Sequence, residues 1–97
     1  MNEIFEYIRR RKGGKTHQVG VIVAVEKDRI IRLGWSKCNR KLGDEFDPKK
    51  GLNIACDRAY GKEQSPTAPL CIQTQIRRFG SRAVRYFHNA KGLEMPV

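Results

Sequence analysis

Four arginines, Arg77, Arg78, Arg82 and Arg85, crowd one stretch of the chain, and no acidic residue occurs between Glu63 and Glu94. At about 100° per residue, a helix there puts Arg78, Arg82 and Arg85 on one face with Arg77 flanking them. Guanidinium forks pair bidentately with phosphate oxygens. An ordinary solvated face would interleave glutamates and gain i, i+4 ion pairs, and this one has none. A second basic run, Arg9-Arg10-Arg11-Lys12-Gly13-Gly14-Lys15, has the composition of a flexible arm that tracks a phosphate backbone. Nucleic acid, DNA or RNA, is therefore the expected partner, bound by Arg9, Arg10, Arg11, Lys12, Lys15, Arg77, Arg78, Arg82 and Arg85.

Other residues of chemical interest are better explained without catalysis. Asp44-Glu45-Phe46-Asp47-Pro48-Lys49 ends in an Asp-x-Lys of the kind found in metal-dependent nucleases, with Asp28 as a distant partner for Mg²⁺. Asp47 before Pro48 is, however, an ordinary helix N-cap, and a small nuclease ranks third among the functional readings. Cys38, Cys56, Cys71, His17 and His88 lack the close spacing of a zinc site, and nothing local pairs a cysteine with a histidine as a nucleophile. Gly13-Gly14-Lys15-Thr16 resembles the end of a phosphate loop, but no strand is expected before it and the first glycine of the motif is replaced by Arg9. No catalytic residue, metal ligand or cofactor is assigned.

The chain has 97 residues, with 20 Lys and Arg against 10 Asp and Glu, a net charge of +10. That charge attracts polyanions and speeds encounter with them. It would equally suit a host protein with an acidic surface, the second reading. Trp35, beside Lys37 and Arg40, and Tyr86, beside Arg85, are of a type that stacks on unpaired bases, yet core packing accounts for both more simply. Three widely spaced cysteines fit a reducing compartment, and the first residues lack the features of a secretory signal, so a cytoplasmic location with no membrane association is expected.

These residues need elements to hold them. Asn2 and the stripe Ile4, Phe5 and Ile8 predict an N-terminal helix over 2–11, ending in a basic Gly-Gly linker over 9–15 that we expect to be mobile. VGVIVAV over 19–25 and IIRLGW over 30–35 predict an antiparallel hairpin with the tetrad 26–29 as its turn, and a short strand is expected near Leu42. The first of those strands is apolar on both faces, which calls for cover on both sides or a close approach at Gly20. Asp47 and Pro48 open a helix whose stripe is Leu52, Ala55, Cys56 and Ala59, with Gly61 closing it. Pro69 opens a longer helix to about residue 89 with Ile72, Ile76, Phe79, Ala83, Tyr86 and Phe87 inward, leaving a tail over 92–97. The expectation is one α+β domain over 1–97: an N-terminal helix, a small antiparallel sheet, and two C-terminal helices packed on one face. A sheet this small also makes a homodimer through a strand edge a reasonable expectation.

The motif Gly34-Trp35-Ser36-Lys37-Cys38-Asn39, then Asp44-x-Phe46-Asp47 and Gly51-Leu52-x-Ile54-Ala55-x-x-Arg58-Ala59, resembles a pattern in small uncharacterised bacteriophage accessory proteins. It is followed in both by a basic helix ending in an aromatic pair like Tyr86-Phe87. The resemblance implies a phage setting, hence the host cytoplasm, and a role on nucleic acid or as a modulator of a host protein; it brings no established activity. Within the motif, Trp35 and Arg58 are candidate partner-binding residues, with a structural role for Arg58 as the alternative.

Overall fold

The computed structural model describes residues 3–38, 47–61 and 67–95. They form β1 (Glu3–Lys12), β2 (Lys15–Lys27), β3 (Ile30–Lys37), α1 (Pro48–Ala59), α2 (Leu70–Tyr86) and β4 (Gly92–Glu94). The sheet runs β1-β2-β3-β4. The first three strands are an antiparallel meander, and β4 joins β3 in parallel at Ile30, Ile31 and Arg32. The sheet is thus mixed and four-stranded, not the simple antiparallel hairpin expected. The expected strand near Leu42 lies outside the described residues.

The N-terminal helix expected over 2–11 is strand β1. Ile4, Phe5 and Ile8 satisfy a helical stripe, but they satisfy a period of two as well once Phe5 is taken from the set. Ile4 and Ile8 then face one side of the sheet, where Ile8 is 4% exposed, while Phe5 and Tyr7 face the other. Pairing with the strongly apolar β2 decides between the two periods, since it satisfies the backbone of both strands in one hairpin. The Gly-Gly linker is correspondingly the turn of that hairpin. Gly13 and Gly14 have φ of 61° and 78°, the sign pattern of a type I′ turn that glycine adopts without strain. The turn between β2 and β3 is likewise shorter than the expected tetrad, comprising Asp28 and Arg29 at φ 54° and 64°.

β2 is covered on both sides, and alternation along it sorts the core into two clusters. Val21, Val23 and Val25 pack under Ala55 and Ala59 of α1. Ile22 and Ala24, with Ile8, Ile31, Leu33 and Trp35, pack under Ile72, Ile76, Phe79, Ala83 and Phe87 on the α2 side. The two helices therefore lie on opposite faces of the sheet, and the expectation that both pack on one face is corrected. A sheet apolar on both faces can exclude water only between two layers of cover. The register slips between Ile8 and Arg9, leaving Val19 as an extra residue in β2, and this bulge turns Val19 toward the α2 cluster.

The small residues of α1 let its backbone rest directly on β3. A Cβ on Gly34 would overlap the carbonyl oxygen of Ala55 and lie 2.5 Å from the amide nitrogen of Ala59. Locally the helix forms as its sequence predicts: Asp47 accepts from the amides of Lys49 (3.0 Å) and Lys50 (3.3 Å). The second helix stops at Tyr86, short of residue 89, and Tyr86, expected inward, is 58% exposed. Part of the expected tail is strand β4, tied down by a hydrogen bond that the Lys91 amide donates to the Arg29 carbonyl (2.7 Å) and by Glu94 pairing with Arg32 (3.4 Å). Because backbone, not a movable side chain, meets Gly34, Gly34→Ala should destabilise the fold by about 3 kcal/mol, seen as a melting temperature lower by more than about 10 °C.

Candidate nucleic-acid interface

β2 is longer than its neighbour β3. The last β2–β3 partners are Gly20 and Lys37, whereas β1 and β2 continue through Arg9↔Gln18, Arg10↔His17, Arg11↔Thr16 and Lys12↔Lys15. These four pairs make a two-stranded ribbon that runs on past β3 by roughly 13 Å. Arg9, Arg10, Arg11, Lys15, Thr16, His17 and Gln18 are all exposed, and the glycine turn keeps the tip narrow. The arm read from the sequence as a flexible linker is thus a paired ribbon. Alternation places Arg9 and Arg11 on the face that carries Phe5 and Tyr7, and Arg10 on the face that carries Glu6.

On α2 the four arginines are exposed. Three contacts, made by two side chains, fix how their face is turned. Gln75 Nε2 donates to Glu6 Oε2 (3.2 Å) and to the Tyr7 carbonyl (3.3 Å), and Arg82 pairs with Glu6 Oε1 (3.7 Å). Gln75 and Arg82 are seven residues apart, two turns of helix, so the whole flank of α2 between them runs beside β1. Arg78, Arg82, Arg85 and the exposed ring of Tyr86 occupy that flank or lie just outward of it. Arg77 points to the opposite flank, about 140° away from Arg82, together with Val84. Sequence reasoning found the α2 arginines and the β1 arginines; the structure ties Arg82 to the edge strand that carries the latter, with Arg78 one turn away on the same side of α2, Arg85 turned outward and Arg77 apart.

That edge carries two acids among the described residues, Glu3 and Glu6: Glu3 accepts from the Tyr60 hydroxyl (2.9 Å), and the pair of Glu6 with Arg82 is exposed on both sides. Such a pair contributes little to stability, ~0–1 kcal/mol, and is weakened by salt, so Arg82 is not withdrawn from other anions.

The two candidate partner-binding residues meet each other. β4 covers only Ile30–Arg32 of β3, and farther along Arg58 reaches from α1 round the strand. Its Nη1 donates to the Trp35 carbonyl (2.8 Å), and its guanidinium lies 5.3 Å from the Trp35 ring centre. Trp35 is 8% exposed. Ser36 ties the next residue of β3 to α1 through a 2.7 Å bond to the Gly51 carbonyl. The Trp-Ser pair and Arg58 of the sequence motif thus clamp α1 to β3, and the Trp35 ring is buried away from any base.

Asp47, the acid of the Asp-x-Lys triplet, spends its carboxylate on the amides of α1, and Asp28 sits in the β2–β3 turn. Asp44 and Glu45 lie outside the described residues. Burial pushes the Cys56 thiol up, and the carboxylates of Glu3 and Asp57 push it further, which suppresses the nucleophilic thiolate. Among the described residues no three His, Cys, Asp or Glu side chains converge as a metal site, and no helix is long and apolar enough to cross a membrane.

Compared with protein-family models, curated proteins and solved structures, the chain has no match. The hydrogen bond and ring contact of Arg58 give it a structural contact between α1 and β3. Arg58→Ala should cost about 2 kcal/mol in chemical denaturation while leaving any affinity for polyanions unchanged.

Proposed function

We propose that this chain is a non-enzymatic nucleic-acid-binding protein that grips the phosphate backbone along the edge formed by β1 and the adjoining flank of α2. The observation that carries the reading is the double contact of Glu6 with Gln75 and Arg82, which sets the basic flank of α2 beside β1, the strand that continues into the basic ribbon. A net charge of +10 raises the local concentration of any polyanion. Arginine at Arg9, Arg10, Arg11, Arg78, Arg82 and Arg85 supplies planar, permanently charged forks at exposed positions, while lysine at Lys15 adds a point charge at the ribbon tip. Affinity in this mode comes from counterion release and is sequence-independent. A role as a bacteriophage accessory protein in the host cytoplasm goes with this reading through the resemblance of the 34–59 motif.

Affinity for DNA or RNA oligonucleotides should fall linearly in log–log form with salt. The double variant Arg78→Ala with Arg82→Ala should weaken binding roughly tenfold and flatten the salt slope by about 1–2. Its stability should change by less than ~1 kcal/mol because both side chains are exposed. Absence of binding at ~50 mM salt would contradict the proposal and turn attention to an acidic protein partner, sought by pull-down.

A further inference from the structure

Phe5 is an exposed aromatic that neither the core nor the phosphate-binding reading uses. It is 49% exposed, on the last strand of the sheet, and meets Tyr7 edge to face with ring centres 5.5 Å apart. Phe5, Tyr7 and Arg9 recur at every second residue and so form one row along β1, which Arg11 continues and Glu3 begins, the Glu3 carboxylate being engaged by the Tyr60 hydroxyl (2.9 Å). With Glu6 and Gln75 they line an open groove of about 400 Å³ along the strand's edge. The groove has basic side chains at two borders: Arg9 and its neighbours where the ribbon begins, and Arg82 where α2 meets Glu6.

An exposed ring beside arginines is the arrangement that holds unpaired bases. Every base offers a π-face for stacking, and the cations neutralise the phosphates on either side of it. A duplex hides those faces inside its stack, whereas a single strand presents them. The groove has room for one base and its sugar, and the Gln75 amide and Glu6 carboxylate beside it offer polar groups to a base edge. From the row Phe5, Tyr7 and Arg9 between two basic borders, we infer that the β1 edge seats an unpaired base of a single-stranded polynucleotide, stacked on Phe5. This rests on the phosphate-binding reading and specifies its ligand as single-stranded DNA or RNA.

Phe5→Leu removes the ring but keeps an apolar side chain on β1, and Phe5→Trp restores a stacking surface. Fluorescence anisotropy with a labelled single-stranded DNA, the matching RNA and the DNA duplex, with circular dichroism to check each variant's fold, gives the test. The wild type should prefer a single strand over the duplex. Phe5→Leu should lose roughly 5- to 100-fold in single-strand affinity and little for the duplex. Phe5→Trp should bind as the wild type does, with its added indole fluorescence quenched by the oligonucleotide. The DNA and RNA arms identify which backbone is held, and a preference for either fits. Equal binding by Phe5→Leu and the wild type, with the Arg78→Ala and Arg82→Ala variant still impaired, would overturn the stacking site and leave the phosphate-binding reading intact. Failure of every polynucleotide to bind would overturn both. Loss of a wild-type dimer in Phe5→Leu, measured by sedimentation, with unchanged single-strand binding would also overturn it and make the groove a contact between copies of the chain.

Discussion

A central strand with two apolar faces governs this structure. From Val19 to Val25 almost every side chain of β2 is buried, alternately under α1 and under α2. Burial of apolar surface stabilises by about 25 cal/mol per Å², so leaving either face open to water would forfeit much of the core of so short a chain. Two helices must therefore take opposite sides. The seat for α1 is made at Gly34, where the absence of a side chain admits the helix backbone, while α2 stands off on larger residues such as Ile76 and Phe79.

The same strand builds the site. Because β2 outruns β3, its N-terminal residues and their β1 partners leave the core as a ribbon, and a ribbon exposed on both sides must be polar. Charged side chains also keep such an edge from pairing with other chains. Here the charge is of one sign, and α2 adds more of it along the same border, where Glu6 is the acid that both Gln75 and Arg82 engage. Like charges gathered in this way repel one another and are relieved by a polyanion. The positive edge is thus mildly unfavourable alone, a cost that the proposed polyanion would relieve.

Much of this was legible in the chain. Asp47-Pro48 and the spacing of Ala55 and Ala59 specify α1, and the apolar stripe of α2 identifies its inner face, because capping and helical periodicity are local signals. The helix expected over 2–11 fails for a physical reason: in ten residues, Ile4 and Ile8 fit both periods, and only pairing with β2 selects one. The glycines at 13 and 14 break a helix or make a hairpin turn equally well, so their meaning followed from the same error. β4, three residues long, carries no periodicity, and its parallel pairing depends on where α2 returns the chain. The arginines themselves were identified from sequence, but their convergence depends on the sheet order and on the flank α2 turns to β1. Phe5, assigned to a core stripe in the helical reading, could be recognised as exposed only after β1 was seen as an edge strand.

The central claim is spatial: one edge, made by β1, the ribbon and one flank of α2, meets the ligand. Backbone amide shifts followed by NMR during titration with a short single-stranded oligonucleotide test this most directly. The account predicts perturbations over residues 3–18 and 75–86, with the far edge of the sheet, β4 (Gly92–Glu94) and its partners Ile30–Arg32, unchanged. Perturbations centred on α1 and Trp35, or spread evenly over the surface, would contradict it.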